Sequence, residues 1–346
     1  MKQIYHIETN QELLKLCKEF NQNQWLAIDT EFVREKTYYP QLGLIQISNG
    51  EIAATIDPLN IDLAPLKKLF FNPHIIKVFH SARQDLEIFY LLWNKVPFPI
   101  FDTQISALLL GYPDQTGYAN CVATELNVHL KKAHTRANWL QRPLSQAMLE
   151  YALEDVIYLS KIYLIFKEKL LEKKQLSWLS DDFTDLSQND LYQVNLETIW
   201  TKVKGRQILS PRQLALLQKL ACWREQQAIK KNKPRKWILS DPQLLNLSKT
   251  LFNNTEGSPI EFISFTNEVK QIPTPDLPYE TIFKKLNQNQ NQKVKELIKT
   301  MKKIEQQAHL TQGILASKTT ITRFIQGEKH IPFLKGWRKE IIASLK

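Results

Sequence analysis

Between Trp25 and Asp57 three apolar runs, WLAID, LGLIQIS and IAATID, follow one another with only short connecting segments between them. Asn49-Gly50 and Asp57-Pro58 are turn dipeptides at their ends. Strands this close leave no room for a crossover helix, so the spacing predicts an antiparallel β-meander. Beyond it the period changes: a helical pattern at 63–71, a strand IIKVF, a helix at 81–93 and a strand PIFD. Further helical patterns start at Thr103 and Ser145. The order β-β-β-α-β-α-β-α predicts an α/β domain, a mixed sheet covered by helices.

The pattern weakens through LSDDFTDLSQND, and the remainder reads as all-α. Ser210-Pro211 and Ser240-Asp241-Pro242 are helix-start signals, an N-cap serine with proline in the first turn. Residues 253–280, with four prolines, read as irregular, and NQNQNQ at 287–292 as an exposed loop or helix end. We therefore divide the chain into a first domain at 1–175, a linker at 176–205, a helical domain at 206–285 and a shorter helical module at 286–346.

Charge follows the same division. Residues 1–200 hold 19 basic against 24 acidic side chains, whereas 201–346 hold 27 basic against 11 acidic. An acidic half joined to a strongly basic one suggests that chemistry and polyanion binding are separated. The 43% of hydrophobic residues suffices for real cores and excludes global disorder. No apolar run approaches a membrane span, the start lacks a signal-peptide core, and Cys17, Cys121 and Cys222 form no CxxC pair. A cytoplasmic monomer with reduced thiols and no membrane partner is the expectation.

Four carboxylates carry the chemical signal. Asp29 and Glu31 close the first strand as DTE, and two-residue spacing turns both side chains to one face. Asp85 lies in the first turns of the helix in HSARQDLEIF. Tyr151 and Asp155, in YALEDVIYL, share a helical face at i and i+4. Taken singly, each has a plainer explanation as strand end, helix N-terminus or core aromatic. Together they supply the oxygen donors that hard divalent cations require. Two such ions, about 3.5–4 Å apart, can clamp a scissile phosphate and activate water, with the tyrosine orienting that water.

LAIDTEFVREKTYYPQLGLIQIS, HSARQDLEIF and NWLQRPLSQAMLEYALEDVIYL resemble, in order, the three motifs of ribonuclease D and of the DEDDy exonucleases. The tail resembles the helicase-and-RNase-D C-terminal (HRDC) modules. The resemblance implies a ribonuclease H-like α/β nuclease domain followed by HRDC-like helical modules. It implies that Asp29, Glu31, Asp85 and Asp155 bind two Mg²⁺ or Mn²⁺ ions and that Tyr151 positions the water. The expected activity is 3′-5′ exoribonuclease trimming of RNA 3′ ends, with precursor tRNAs and other small structured RNAs as substrates and 5′-mononucleotides as products. The alternatives are a DNA 3′-5′ exonuclease of the same type and a catalytically silent RNA-binding module. Lys131, Asn138 and Arg83 depart from the residues more usual at those places.

Candidate RNA contacts are His80, Gln46, Lys132 and Arg136 near the motifs, and Arg206, Arg212, Lys233 and Arg235 in the tail. The Tyr38-Tyr39-Pro40 turn is a candidate for the terminal nucleotide, with core packing as the alternative. Asp102 reads as a helix N-cap, Arg142 as a salt-bridge former, and Trp200, Trp223 and Trp237 as core residues of the tail.

Overall fold

The computed structural model describes residues 3–131, 137–278, 286–308, 310–329 and 331–344. The chain forms two compact units. One comprises Met1–Val33, Leu42–Tyr192 and Lys285–Lys346, the other Arg34–Gln41 and Gln193–Lys284.

The first unit is built on a six-stranded sheet of β1 (Gln3–Ile7), β2 (Trp25–Val33), β3 (Gln41–Ser48), β4 (Ile52–Ile56), β5 (Ile76–Phe79) and β6 (Ile100–Asp102), in the order β1-β4-β3-β2-β5-β6. β3 and β4 are antiparallel, with Ile45 opposite Ile56, while β1–β4, β2–β5 and β5–β6 run parallel. The sheet is therefore mixed, as the element order predicts. Two elements precede the expected order, β1 and the following α1 (Asn10–Phe20). β1 is an edge strand whose side chains are exposed except for Ile7, so it carries no alternating signal. Helix α1 begins in a capping box in which Thr9 and Glu12 exchange hydrogen bonds.

Helices α2 (Ala64–Phe70), α3 (Arg83–Trp93), α4 (Thr103–Leu109), α5 (Tyr118–Leu126) and α6 (Gln146–Glu172) cover the sheet. The Ser145 hydroxyl caps α6, whose Ala152, Val156, Ile162, Tyr163 and Phe166 are buried as it packs against β2, β4 and β5. The polar stretch read as linker opens instead with α7 (Leu179–Leu186), an amphipathic helix burying Leu179 and Phe183 in the same core. Its acidic residues occupy the exposed face, which is why composition masks it.

In the second unit, α8 (Pro211–Lys231), α9 (Arg235–Ile238), α10 (Asp241–Thr250) and α11 (Ile260–Gln271) enclose a separate core. Ser210 and Ser240 form capping boxes with Gln213 and Gln243, as the helix-start signals predict. Of the stretch 253–280 read as irregular, the described part, 253–278, is more ordered than expected, since α11 buries Phe262, Thr266 and Val269. The segment Arg34–Gln41 belongs here. Buried Tyr38 donates its hydroxyl to Glu225, and the Asn232 side chain accepts the Tyr38 backbone N–H at 3.0 Å.

The last stretch holds α12 (Gln288–Gln307), α13 (Lys318–Ile325) and α14 (Gly336–Ser344). Asn287 of the NQNQNQ tract caps α12, so the tract is a helix start. These helices return to the first unit: Val294, Met301, Ile304, Ile321 and Trp337 join the apolar cluster of the sheet domain. Trp337 stacks on Trp178 at 5.3 Å, and Arg338 pairs with Asp182 at 3.0 Å.

Candidate active site

β2 is buried from Leu26 to Ile28 and then presents Asp29 and Glu31. Helix α6 packs across it and brings Asp155 to the same place. Carboxylate oxygens of Asp29, Glu31 and Asp155 lie within 4.8 Å of one another. Asp85, in the first turn of α3, is buried beside them and accepts a hydrogen bond from Thr30 Oγ1. Asp29, Tyr151 and Asp155 line a cavity of about 340 Å³ with His80, Tyr118 and Glu154. All five residues of the expected catalytic set thus converge.

A second contact fixes the Tyr151 end. Any side chain at Gly43 would place its Cβ 2.5 Å from the Trp139 carbonyl oxygen, so only glycine lets this backbone pass β3 so closely. Trp139 is buried and its ring lies 6.2 Å from that of Tyr151. Arg142 secures the same turn, forking onto Asp57 at 2.5 and 2.8 Å and donating to the Gly43 carbonyl at 2.6 Å.

The electrostatics are those of an uncompensated anion cluster. Burial first, then Asp155, pushes the Asp29 carboxyl well above the usual range. Burial, then Asp29, Asp155 and Asp85, pushes Glu31 up to about 9. Asp85 is raised by burial and Asp29, and Asp155 by burial and Glu154 to about 7. Among the described residues no lysine or arginine pairs with any of the four. Such a group holds either protons or cations. An oxygen-only donor set of this density fits hard divalent ions.

The other candidates divide clearly. Both His80 ring nitrogens are engaged, Nδ1 with Thr103 Oγ1 at 2.9 Å and Nε2 with the Thr116 carbonyl at 3.2 Å, leaving its ring as cavity wall. Gln46 is fully buried in β3 opposite Thr55 and does not line the cavity. Lys132 and Arg136 lie outside the described residues; Lys131 beside them lines the cavity. Asp102 accepts backbone N–H groups from Ser81, Ala82, Gln104 and Ile105, and so ties the starts of α3 and α4 together.

In the second unit, Arg212 donates to the carbonyls of Val269, Lys270 and Ile272 at the end of α11. Arg206 donates to Val203 O, Arg235 pairs with buried Glu225 at 3.2 Å, and Lys233 is exposed. Two residues were not singled out in the sequence. Tyr118 donates to the Asp155 carbonyl at 2.5 Å, and Thr30 grips Asp85. Thr30 was visible as the middle residue of DTE, but nothing near Tyr118 marks its reach to α6.

A family model for 3′-5′ exonucleases matches residues 4–171, and the HRDC domain model matches residues 213–257. Ribonuclease D of Granulibacter bethesdensis is 32% identical over 98% of this chain and 90% of its own length. That of Bartonella henselae is 34% identical over 93% and 84%. The crystal structure of Escherichia coli RNase D, an exoribonuclease involved in structured RNA processing, superposes with a TM-score of 0.87 at 28% identity, covering 98% of this chain and 96% of that one. Fold, acid cluster and comparisons together define a divalent-metal-dependent 3′-5′ exonuclease: a mixed-sheet ribonuclease H-like domain with an HRDC-type helical part. More narrowly, the chain belongs to the ribonuclease D family. It is a hydrolase acting as a 3′-5′ exoribonuclease.

Proposed function

We propose that this chain trims the 3′ ends of precursor tRNAs and other small structured RNAs, releasing nucleoside 5′-monophosphates one at a time. The observation that carries this reading is the meeting of Asp29, Glu31 and Asp155 oxygens within 4.8 Å, beside Asp85 and Tyr151. Those four carboxylates would hold two Mg²⁺ or Mn²⁺ ions. When bound, the ions supply a lowered pKa for the attacking water and charge neutralisation at the leaving oxygen. Tyr151 orients the water in line with the terminal phosphodiester. Free phenols ionise near 10, so this residue type suits orienting the water rather than deprotonating it. The bond from phosphorus to O3′ of the penultimate nucleotide breaks as the water oxygen bonds to phosphorus, and the water's proton ends on that O3′.

Outside the acid cluster the cavity is walled by His80 and Tyr118, with Lys131 as its cationic side chain, suited to the terminal nucleotide and its phosphate. The strongly basic tail supplies grip on the remaining RNA. Three unpaired cysteines support a cytoplasmic setting, and we read the working form as a monomer. A 3′-overhang RNA and its DNA twin, incubated with Mg²⁺ or Mn²⁺, test the reading. It expects preferential loss of single nucleotides from the RNA, and equal or faster digestion of the DNA overturns it.

A further inference from the structure

The tail tryptophans do not behave alike. Trp200 and Trp223 pack against the second unit's core. Trp237, on α9, is 52% exposed and is the one tryptophan on the surface among the described residues. Its surroundings are cationic: from Gln226 to Ser240 the chain carries five basic residues and no acidic one. The Lys233 ammonium lies 5.7 Å over the Trp237 ring, and Lys230, Lys231 and Lys236 are exposed in the same stretch of chain. On either side of Pro234–Lys236 the surface is hollowed into two cavities of about 360 Å³ each. One is lined by Lys202, Arg224, Ser240 and Asp241, the other by Arg34, Glu35 and Thr37; both share Arg235 and Lys236, so basic side chains outnumber the single acid in each.

We propose that Trp237 is a stacking platform for an unpaired RNA base, with Lys233 and Lys236 holding the flanking phosphates. This deepens the reading of the basic tail as RNA-binding and rests on it. A single exposed ring is common on a protein surface; this one is set apart by the Lys233 ammonium over it and by the lysine-rich stretch that carries it. A protein partner would call for an apolar patch, whereas here the ring sits in that lysine-rich stretch. Bases stack on aromatic side chains whatever their sequence, and a basic surround retains the backbone. The cation already over the ring leaves the opposite ring face for the base.

The test is binding of the full-length chain to a short single-stranded oligoadenylate in EDTA, where turnover is absent, with a blunt RNA hairpin alongside. Trp237→Ala weakens binding to the single strand roughly tenfold, in line with the loss of one stacked base. It leaves the hairpin and the salt slope unchanged, and Trp237→Phe retains most of the affinity. Lys233→Gln and Lys236→Gln each make the slope shallower by about 0.7. In the unmodified chain, oligoadenylate protects tryptophan fluorescence from acrylamide, a readout independent of any variant's folding. If Trp237→Ala binds normally while the lysine variants flatten the slope, the stacking role is overturned and the RNA-binding tail stands. If no variant alters binding or its salt slope, both readings fail. A fall in sedimenting mass on Trp237→Ala would give the ring to a second copy of the chain and overturn the proposal.

Discussion

Thr30 Oγ1 donates a hydrogen bond to Asp85 Oδ1 at 2.5 Å inside the protein, joining the middle residue of DTE to the acid at the start of α3. It selects one orientation of a carboxylate that belongs to a different element from Asp29 and Glu31. A hydrogen bond to a charged group contributes about 1.5–3 kcal/mol. Thr30→Val therefore raises the metal concentration for half-maximal activity by roughly tenfold to a hundredfold, by the usual conversion of 1.4 kcal/mol per decade. Thr30→Ser restores it. Calorimetric titration with Mn²⁺ checks the same shift without turnover, and unchanged Mn²⁺ affinity in the valine variant would remove the role assigned to Thr30.

Asp29→Ala and Asp155→Ala each reduce turnover by roughly a thousandfold or more, since several kcal/mol of charge stabilisation is lost at about 1.4 kcal/mol per decade. Tyr151→Phe costs less, about a hundredfold at most, because orientation is loosened while the metal donors stay. Single-turnover rates on one labelled RNA rank the three. Equal losses in Tyr151→Phe and the aspartate variants would give the phenol a direct chemical role.

Glu31 and Asp155 have carboxyls raised to about 9 and about 7, against ordinary values of 4.5 and 3.8. Above those ordinary values the unfolded chain has released protons that the folded, metal-free protein still holds. The stability contribution of the cluster therefore falls as pH rises from about 4 to about 9. Divalent ions take the place of the protons, so metal binding tightens and stabilises more as pH climbs. Thermal melts with and without Mg²⁺ should show a metal-induced rise in Tm that is larger at pH 8.5 than at pH 6. Asp155→Asn should diminish that pH dependence; a rise independent of pH in the unmodified protein would contradict the cluster's titration.

Residues 285–346 bear on the folding of the sheet domain. Val294, Met301, Ile304, Ile321 and Trp337 lie in its core cluster, and burial of one large apolar side chain contributes about 1.5–3 kcal/mol. Five of them amount to a sum comparable with the whole stability of a domain, about 5–15 kcal/mol. A chain ending at Lys284 should lose cooperative thermal unfolding along with activity. Retention of a sharp transition near the full-length Tm would show these helices to be dispensable.

The legible parts of the sequence were those whose residues share an element or a familiar motif. Asp29 with Glu31 and Tyr151 with Asp155 can be placed on one face by period alone, and the antiparallel β3–β4 pair by its spacing. Asp102 and Arg142 take the cap and ion-pair roles their neighbours imply. What stayed hidden depends on contacts distant in sequence. Gly43 is ordinary until Trp139 lies on it, and α12–α14 carry amphipathic faces that do not reveal which core they complete. Trp237 reads in the sequence like Trp200 and Trp223, and only its exposure in the folded chain separates it from those two partly buried rings.

We expect hydrolysis at the Asp29–Glu31–Asp85–Asp155 cluster to proceed from the 3′ end. The most direct test is nucleotide release, in Mg²⁺, from three forms of one RNA sequence: linear, 3′-blocked and circular. Expected are 5′-mononucleotides from the linear form, slowed release from the blocked form, and an intact circle. No release is expected in EDTA or from Asp29→Ala. Cleavage of the circle, or undiminished release in EDTA, would contradict end-directed, metal-dependent hydrolysis.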